Sequence, residues 1–142
     1  MLLQGSYFSK EKKELIEQTV GKPFGLWQRI KMKGIGSQRF IVKKSNPEVE
    51  NLFADQTGMK FTNIELRPNG IIFWFRVKID NWILMMPYRS LSIYKSEGSL
   101  RLFYGEWKIE LTPAHNESLD KKFIKKLMDQ KSDYVAQHAM PV

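Results

Sequence analysis

Apolar residues recur with period two through the body of the chain and with helical spacing near its two ends. Residues 9–20 read as a short helix. Ser9 is placed to cap it, Leu15, Ile16 and Val20 make a thin apolar stripe, and Gly21 closes it. From residue 24 to 33 the pattern alternates. Phe24, Leu26, Ile30 and Met32 fall on one side, interrupted by Gln28, while Trp27, Arg29, Lys31 and Lys33 fall on the other, as a half-buried strand requires. Gly34-Ile35-Gly36-Ser37 supplies turn chemistry. Residues 38–44 then resume the alternation, with Phe40 and Val42 inward and Arg39 and Lys43 outward. The spacing predicts a β-hairpin over 24–44.

Ser45 or Asn46 caps a second short helix over about 47–57, which Pro47 opens and Gly58 ends, with Leu52 and Phe53 packing it down. Phe61–Leu66 is a strand, and Pro68-Asn69-Gly70 is a strong turn. Ile71, Phe73, Phe75, Val77 and Ile79 point one way, then Asp80-Asn81 turns the chain into 82–88. That segment is apolar on both faces and so is central or covered. Leu91 and Ile93, then Leu100, Leu102 and Tyr104, then Trp107, Ile109 and Leu111 mark three more strands, separated by Ser96-Glu97-Gly98 and Gly105. Ser118 opens a final helix over 118–135, whose stripe is Leu119, Phe123, Ile124, Leu127 and Met128, continued by Tyr134 and Val135, and the tail from 136 frays.

The prediction is one domain over residues 1–142, mainly β. It is an antiparallel curved sheet or partly open barrel of about six to eight strands, capped by a C-terminal amphipathic helix. Composition agrees with it. Nine Phe, five Tyr and four Trp suit a pleated sheet better than a bundle. No cysteine is present, which excludes disulfides, thiolate metal sites and a cysteine nucleophile, and fits a reducing, cytoplasmic setting. No apolar run approaches the roughly 20 residues that span a bilayer as a helix.

The segment Met85-Met86-Pro87-Tyr88-Arg89-Ser90-Leu91-Ser92-Ile93 resembles the apolar-Pro-Tyr-x-x-apolar step of bacterial pleckstrin-homology-like and GRAM-like domains. The order of the later strands and of the closing helix matches that family too, over about residues 59–130. The helices at 9–20 and 47–57 are not standard parts of it. The resemblance implies a module that binds phospholipid headgroups, peptides or protein partners.

Catalytic chemistry finds little footing. His115 sits in a loop and His138 in the tail, with no ligand spacing for a metal. Gly34-x-Gly36-Ser37 lacks what a phosphate loop or dinucleotide fingerprint requires. Glu106 and Glu110 flank Lys108 on one strand face and read as ion-pairing partners. The chain is read as a non-enzyme with no cofactor.

Charge nominates one surface. The net charge is +8, from 23 bases and 15 acids. No acid lies between Glu17 and Glu48, and seven bases fill that gap: Lys22, Arg29, Lys31, Lys33, Arg39, Lys43 and Lys44. On the predicted hairpin, Arg29, Lys31, Lys33, Arg39 and Lys43 share the outer face, and like charges across a strand pair repel. An anionic lipid surface or a protein partner would supply the missing charge, placing the protein peripherally at the inner face of a membrane. The competing reading is a solvated face paired with acids from elsewhere in the fold or from another subunit. Trp27 and Trp74 fall on the outer sides of their strands, either covered by a helix or exposed at a protein interface. Two other functions stay open. One is a nucleic-acid-binding β-surface, prompted by Trp27 beside Arg29. The other is a lipocalin-like pocket for a hydrophobic ligand, prompted by 82–86.

Overall fold

The computed structural model describes residues 2–4 and 9–138. Eight strands form one antiparallel sheet: β1 (Leu2–Gln4), β2 (Phe40–Ser45), β3 (Phe61–Leu66), β4 (Gly70–Val77), β5 (Asp80–Pro87), β6 (Leu91–Ser96), β7 (Ser99–Tyr104) and β8 (Trp107–Pro113). Their order is β1-β5-β4-β3-β2-β8-β7-β6, so the sheet is open, with β1 and β6 at its edges. Among the described residues four α-helices accompany it: α1 (Lys10–Val20), α2 (Leu26–Met32), α3 (Pro47–Leu52) and α4 (Lys121–Gln137).

The alternation along β4 and β5 sorts their side chains into two cores. Ile71, Phe73 and Phe75 of β4 and Leu84 and Met86 of β5 face the larger cluster, which α4 fills with Phe123, Ile124 and Leu127. Ile72, Ile83 and Met85 face the other way, onto Ile16 and Val20 of α1. This explains why 82–88 is apolar on both faces: one face meets the main core and the other lies under α1. Met85 and Met86 are fully buried packing residues, one in each cluster. The N-terminal edge strand β1, which alternation did not reveal, pairs Leu2–Gln4 with β5.

The junction between α1 and the β3–β4 turn is tight. The Asn69 amide donates to the Val20 carbonyl (2.9 Å), and Gly21, at φ 92°, lies against Pro68. Tyr88, in the single 3₁₀ turn that follows β5, is fully buried, and its hydroxyl has no hydrogen-bond partner among the described residues. Burial pushes the phenol above its ordinary range near ~10. Because the folded form holds that proton more tightly, the stability it supports is intact below about pH 10. It declines as pH rises further, by up to about 1.4 kcal/mol per unit, since the unfolded chain ionises first. Tyr88→Phe is expected to raise stability by about 1 kcal/mol at neutral pH, because no hydrogen bond is lost and a buried polar group is removed. It should also flatten the alkaline decline. Urea unfolding at pH 7 and above pH 10 checks both.

Several expectations need correction. The largest is the hairpin over 24–44, which does not form. Residues 26–32 are the helix α2, and the stretch after it runs beside β3, with a bridge between Gly36 and Glu65. The glycine read as a strand turn is a helix stop. Lys33 takes the left-handed conformation (φ 58°), the Gly34 amide donates to the Arg29 carbonyl (2.9 Å), and the Lys33 amide donates to that of Ile30 (3.1 Å). That pair of bonds is a Schellman motif. Short apolar alternation is also compatible with i, i+4 spacing, and here Leu26 and Ile30 followed the latter.

Ile79 does not face inward. β4 and β5 pair through Val77 and Asp80, so the turn is Lys78-Ile79, with Lys78 at φ 58° and Ile79 84% exposed. The final helix is capped by Asp120 instead of Ser118, its carboxylate accepting from the Lys122 and Phe123 amides, and it continues to Gln137. His138 is therefore the C-cap of α4, its ring stacked on Tyr134 at 4.0 Å. The rest of the predicted tail, 139–142, lies outside the described residues. α3 stops at Leu52, short of Gly58.

Candidate functional site

Loss of the hairpin redistributes the five nominated bases. Arg29 and Lys31 lie on α2 and Lys33 is its C-cap, all exposed. Arg39 precedes β2, with its guanidinium over the Phe61 ring at 4.2 Å. Lys43 sits further along β2, in the bulge where the register against β8 shifts between Val42 and Lys44. Residue 35 bonds beside Leu66, and Val42 bonds to Lys60, at the other end of β3. Six residues of extended chain separate those points by about 20 Å. The structure therefore brings Arg29, Lys31 and Lys33 together and leaves Arg39 and Lys43 apart from them. Among the described residues no carboxylate forms an ion pair with any of the five; the two recorded ion pairs are Glu65–Arg67 and Lys125–Asp129.

α2 is a helix with its polarity reversed. At about 100° per residue, Leu26, Ile30 and Trp27 occupy one continuous arc of about 100°, opposite Met32. Met32 is half-buried and packs on the main core. The arc faces outward: Leu26 is 72% exposed, Trp27 77% and Ile30 59%. On the same wheel Lys31 lies beside Trp27 and Arg29 lies on the Leu26 side, so bases flank the arc on both sides, and Lys33 follows at the left-handed C-cap. Trp27 is thus not covered by a helix. Trp74 is half-buried, packed against the cluster that includes Ile16 and Val20 of α1, and its indole N–H donates to Glu65 Oε1 at 3.1 Å.

Both ends of α2 are anchored. Upstream, Arg67, 8% exposed, donates Nη1 to the Gly21 carbonyl (3.0 Å) and Nε to Glu65, which also accepts from Trp74. Arg29 Nε closes the helix start on the Phe24 carbonyl (2.9 Å). Downstream, Lys126 of α4 donates to the Gly34 carbonyl (3.1 Å) and lies 3.4 Å from that of Lys33. An ammonium at the carbonyl end of a helix is favourable both as a cap and against the helix dipole. Between α2 and α4 lies a crevice of about 330 Å³ whose walls include Phe24, Lys31, Met32, Asp133 and Tyr134.

Sequence reasoning missed the Glu65–Arg67–Trp74 network. Its members are spread over two strands and a turn, and only the β3–β4 register, which pairs Glu65 with Ile72 and Asn63 with Trp74, brings them together. It also missed a second exposed face, on β6, β7, β8 and β2. There Tyr94 opposes Arg101, Arg101 opposes Glu110, and Glu110 opposes Lys44, with Phe103 beside Tyr94 edge to face at 5.5 Å. Glu110 therefore does face bases across strands, whereas Glu106 lies in the β7–β8 turn. His115 stacks near Phe61 at 6.2 Å, far along the chain from His138, and no group of three His, Asp or Glu among the described residues could hold a metal. Comparison of the chain with protein-family models, with curated proteins and with solved structures returns no match.

Proposed function

We propose that the chain is a non-enzymatic binding module of pleckstrin-homology type. It docks through α2 and the bases around it on an anionic surface, either a lipid headgroup layer or the acidic face of a protein partner. The antiparallel sheet, the 85–93 step from β5 into β6 and the closing helix α4 support the fold type. The observation that carries the docking surface is the exposure of Arg29 and Lys31 on α2 and of Lys33 at its C-cap, with no carboxylate paired to them among the described residues. The protein would then act at the inner face of a membrane, attached peripherally.

Each base close to an anionic headgroup layer contributes about 1 kcal/mol, so three give about 3 kcal/mol, much of it screened at high salt. The test is co-sedimentation with phosphatidylcholine vesicles, with and without phosphatidylserine. Binding is expected only with the anionic lipid. Lys31→Glu with Lys33→Glu should abolish it while leaving the unfolding midpoint unchanged, since both side chains are exposed. Unaltered binding by that variant would reject the surface.

A second reading has its own observation. The open β6–β7–β8–β2 face sets Tyr94 and Phe103 beside Arg101, Lys44 and Lys108, a combination suited to base stacking plus phosphate contact. Single-stranded nucleic acid bound there would show a log–log salt slope of about −0.7 per phosphate contacted, and Tyr94→Ala would weaken it. A flat salt response rejects this reading.

A further inference from the structure

We propose that α2 is an interfacial helix that lies in the plane of a lipid bilayer, with Leu26, Trp27 and Ile30 inserted among the headgroups and upper acyl chains. The inference rests on the docking surface assigned above, and it selects lipid as the occupant.

A surface helix ordinarily turns its apolar stripe to the core and its charges to water. α2 does the opposite. Only Met32 reaches the core, and the three largest apolar side chains beside it stand in solvent. Scattered exposed apolar residues need no explanation, but a contiguous arc of three on one short helix marks an interaction surface. The flanking charge decides among occupants. Lys31 on one side of the arc and Arg29 on the other are positive, Lys33 follows at the C-cap, Lys22 lies just upstream, and no acid occurs between Glu17 and Glu48. A second copy docked arc to arc would set these bases against their own kind, a costly juxtaposition. An anionic bilayer meets both demands in one plane: headgroup charge for the bases and an apolar layer beneath for the arc. A tryptophan with basic neighbours suits that depth, because its ring favours the boundary between headgroups and chains. The narrow arc limits insertion to a shallow one, as for helices that lie on membranes. The anchoring matters as well. With Arg67 holding the Gly21 carbonyl and Lys126 holding those at the far end, α2 is already folded before it meets the surface. The ordering entropy that a disordered segment would lose on binding is thereby avoided.

The experiment uses the full chain with vesicles of phosphatidylcholine and phosphatidylserine whose acyl chains carry bromine, a short-range quencher of indole fluorescence. Four tryptophans are present, so Trp27→Phe assigns the signal while keeping an apolar ring at the site. Quenching is expected in the parent chain and should vanish in Trp27→Phe, although that variant still sediments with the vesicles. Leu26→Gln with Ile30→Gln keeps helix-forming residues and should lower vesicle affinity by roughly tenfold for each side chain, most visibly at high salt where the electrostatic part is screened. Binding to anionic vesicles without Trp27 quenching, and with full affinity in the double glutamine variant, overturns insertion and leaves the electrostatic docking intact. No binding to anionic vesicles by the parent chain overturns insertion and the lipid arm of the docking surface together, and leaves an acidic protein partner as its occupant. Concentration-dependent dimerisation that Leu26→Gln with Ile30→Gln removes would assign the arc to a second copy and overturn the lipid occupant.

Discussion

Gly70→Ala is expected to destabilise the protein by about 3 kcal/mol, lowering the thermal midpoint by roughly 10 °C for a chain of this size. A Cβ at Gly70 would stand 2.6 Å from the Met86 carbonyl oxygen, 2.8 Å from Pro87 Cα and 2.8 Å from Val20 Cγ1. Two of these are backbone atoms of the neighbouring strand, so no side-chain rotation relieves the overlap. Either β4 and β5 separate at their paired residues Gly70 and Pro87, or α1 lifts from the sheet. Gly36→Ala is the matched control. Its Cβ would meet nothing within 4 Å, so its effect should stay within about 0.5 kcal/mol. Urea unfolding of the two variants measures the contrast. Equal effects would mean that β5 and α1 do not close on Gly70 as described.

Arg67→Met should cost a similar amount, about 3 kcal/mol, for a different reason. The guanidinium is nearly enclosed and satisfies two acceptors, Glu65 and the Gly21 carbonyl, while Glu65 in turn accepts from Trp74. Methionine fills a comparable volume but donates nothing, which strands a half-buried carboxylate and a backbone carbonyl. The loss should also be local. Gly21 leads into α2, so amide exchange across residues 22–33 should accelerate more than across β7 and β8. A uniform acceleration would show that Arg67 supports the fold generally without positioning α2.

How much was legible in the sequence follows from where each element's determinants lie. The strands Gly70–Val77 and Ser99–Tyr104 and the helix Lys121–Gln137 each have a hydrophobic period long enough to outvote alternatives, and they formed within two or three residues of the expected boundaries. The segment 24–33 is short; Leu26, Ile30 and Met32 all satisfy a two-residue spacing, and Leu26 with Ile30 satisfies a four-residue one as well. Its state was settled partly by contacts far away in the chain, Arg67 on Gly21 and Lys126 on the carbonyls just past the helix, and partly by a local stop, the left-handed Lys33 that the following Gly34 completes. The same ambiguity hid the candidate surface. Charge counting found the acid-free stretch, but assigning it to a strand placed Trp27 with the bases and Leu26 and Ile30 with the core. As a helix, the three apolar residues belong together and face outward. The Lys78-Ile79 turn was missed because Asp80 and Asn81 carry the stronger turn chemistry, while the pairing of Val77 with Asp80 was set by register across the whole hairpin.

Amide hydrogen exchange of the full chain, with and without phosphatidylserine-containing vesicles, locates the docking surface without altering any residue. Slowed exchange confined to about residues 22–34, with β6, β7 and β8 unchanged, is the predicted outcome. Slowing over the Tyr94–Arg101–Phe103 face, or no segment slowed at all, would contradict it.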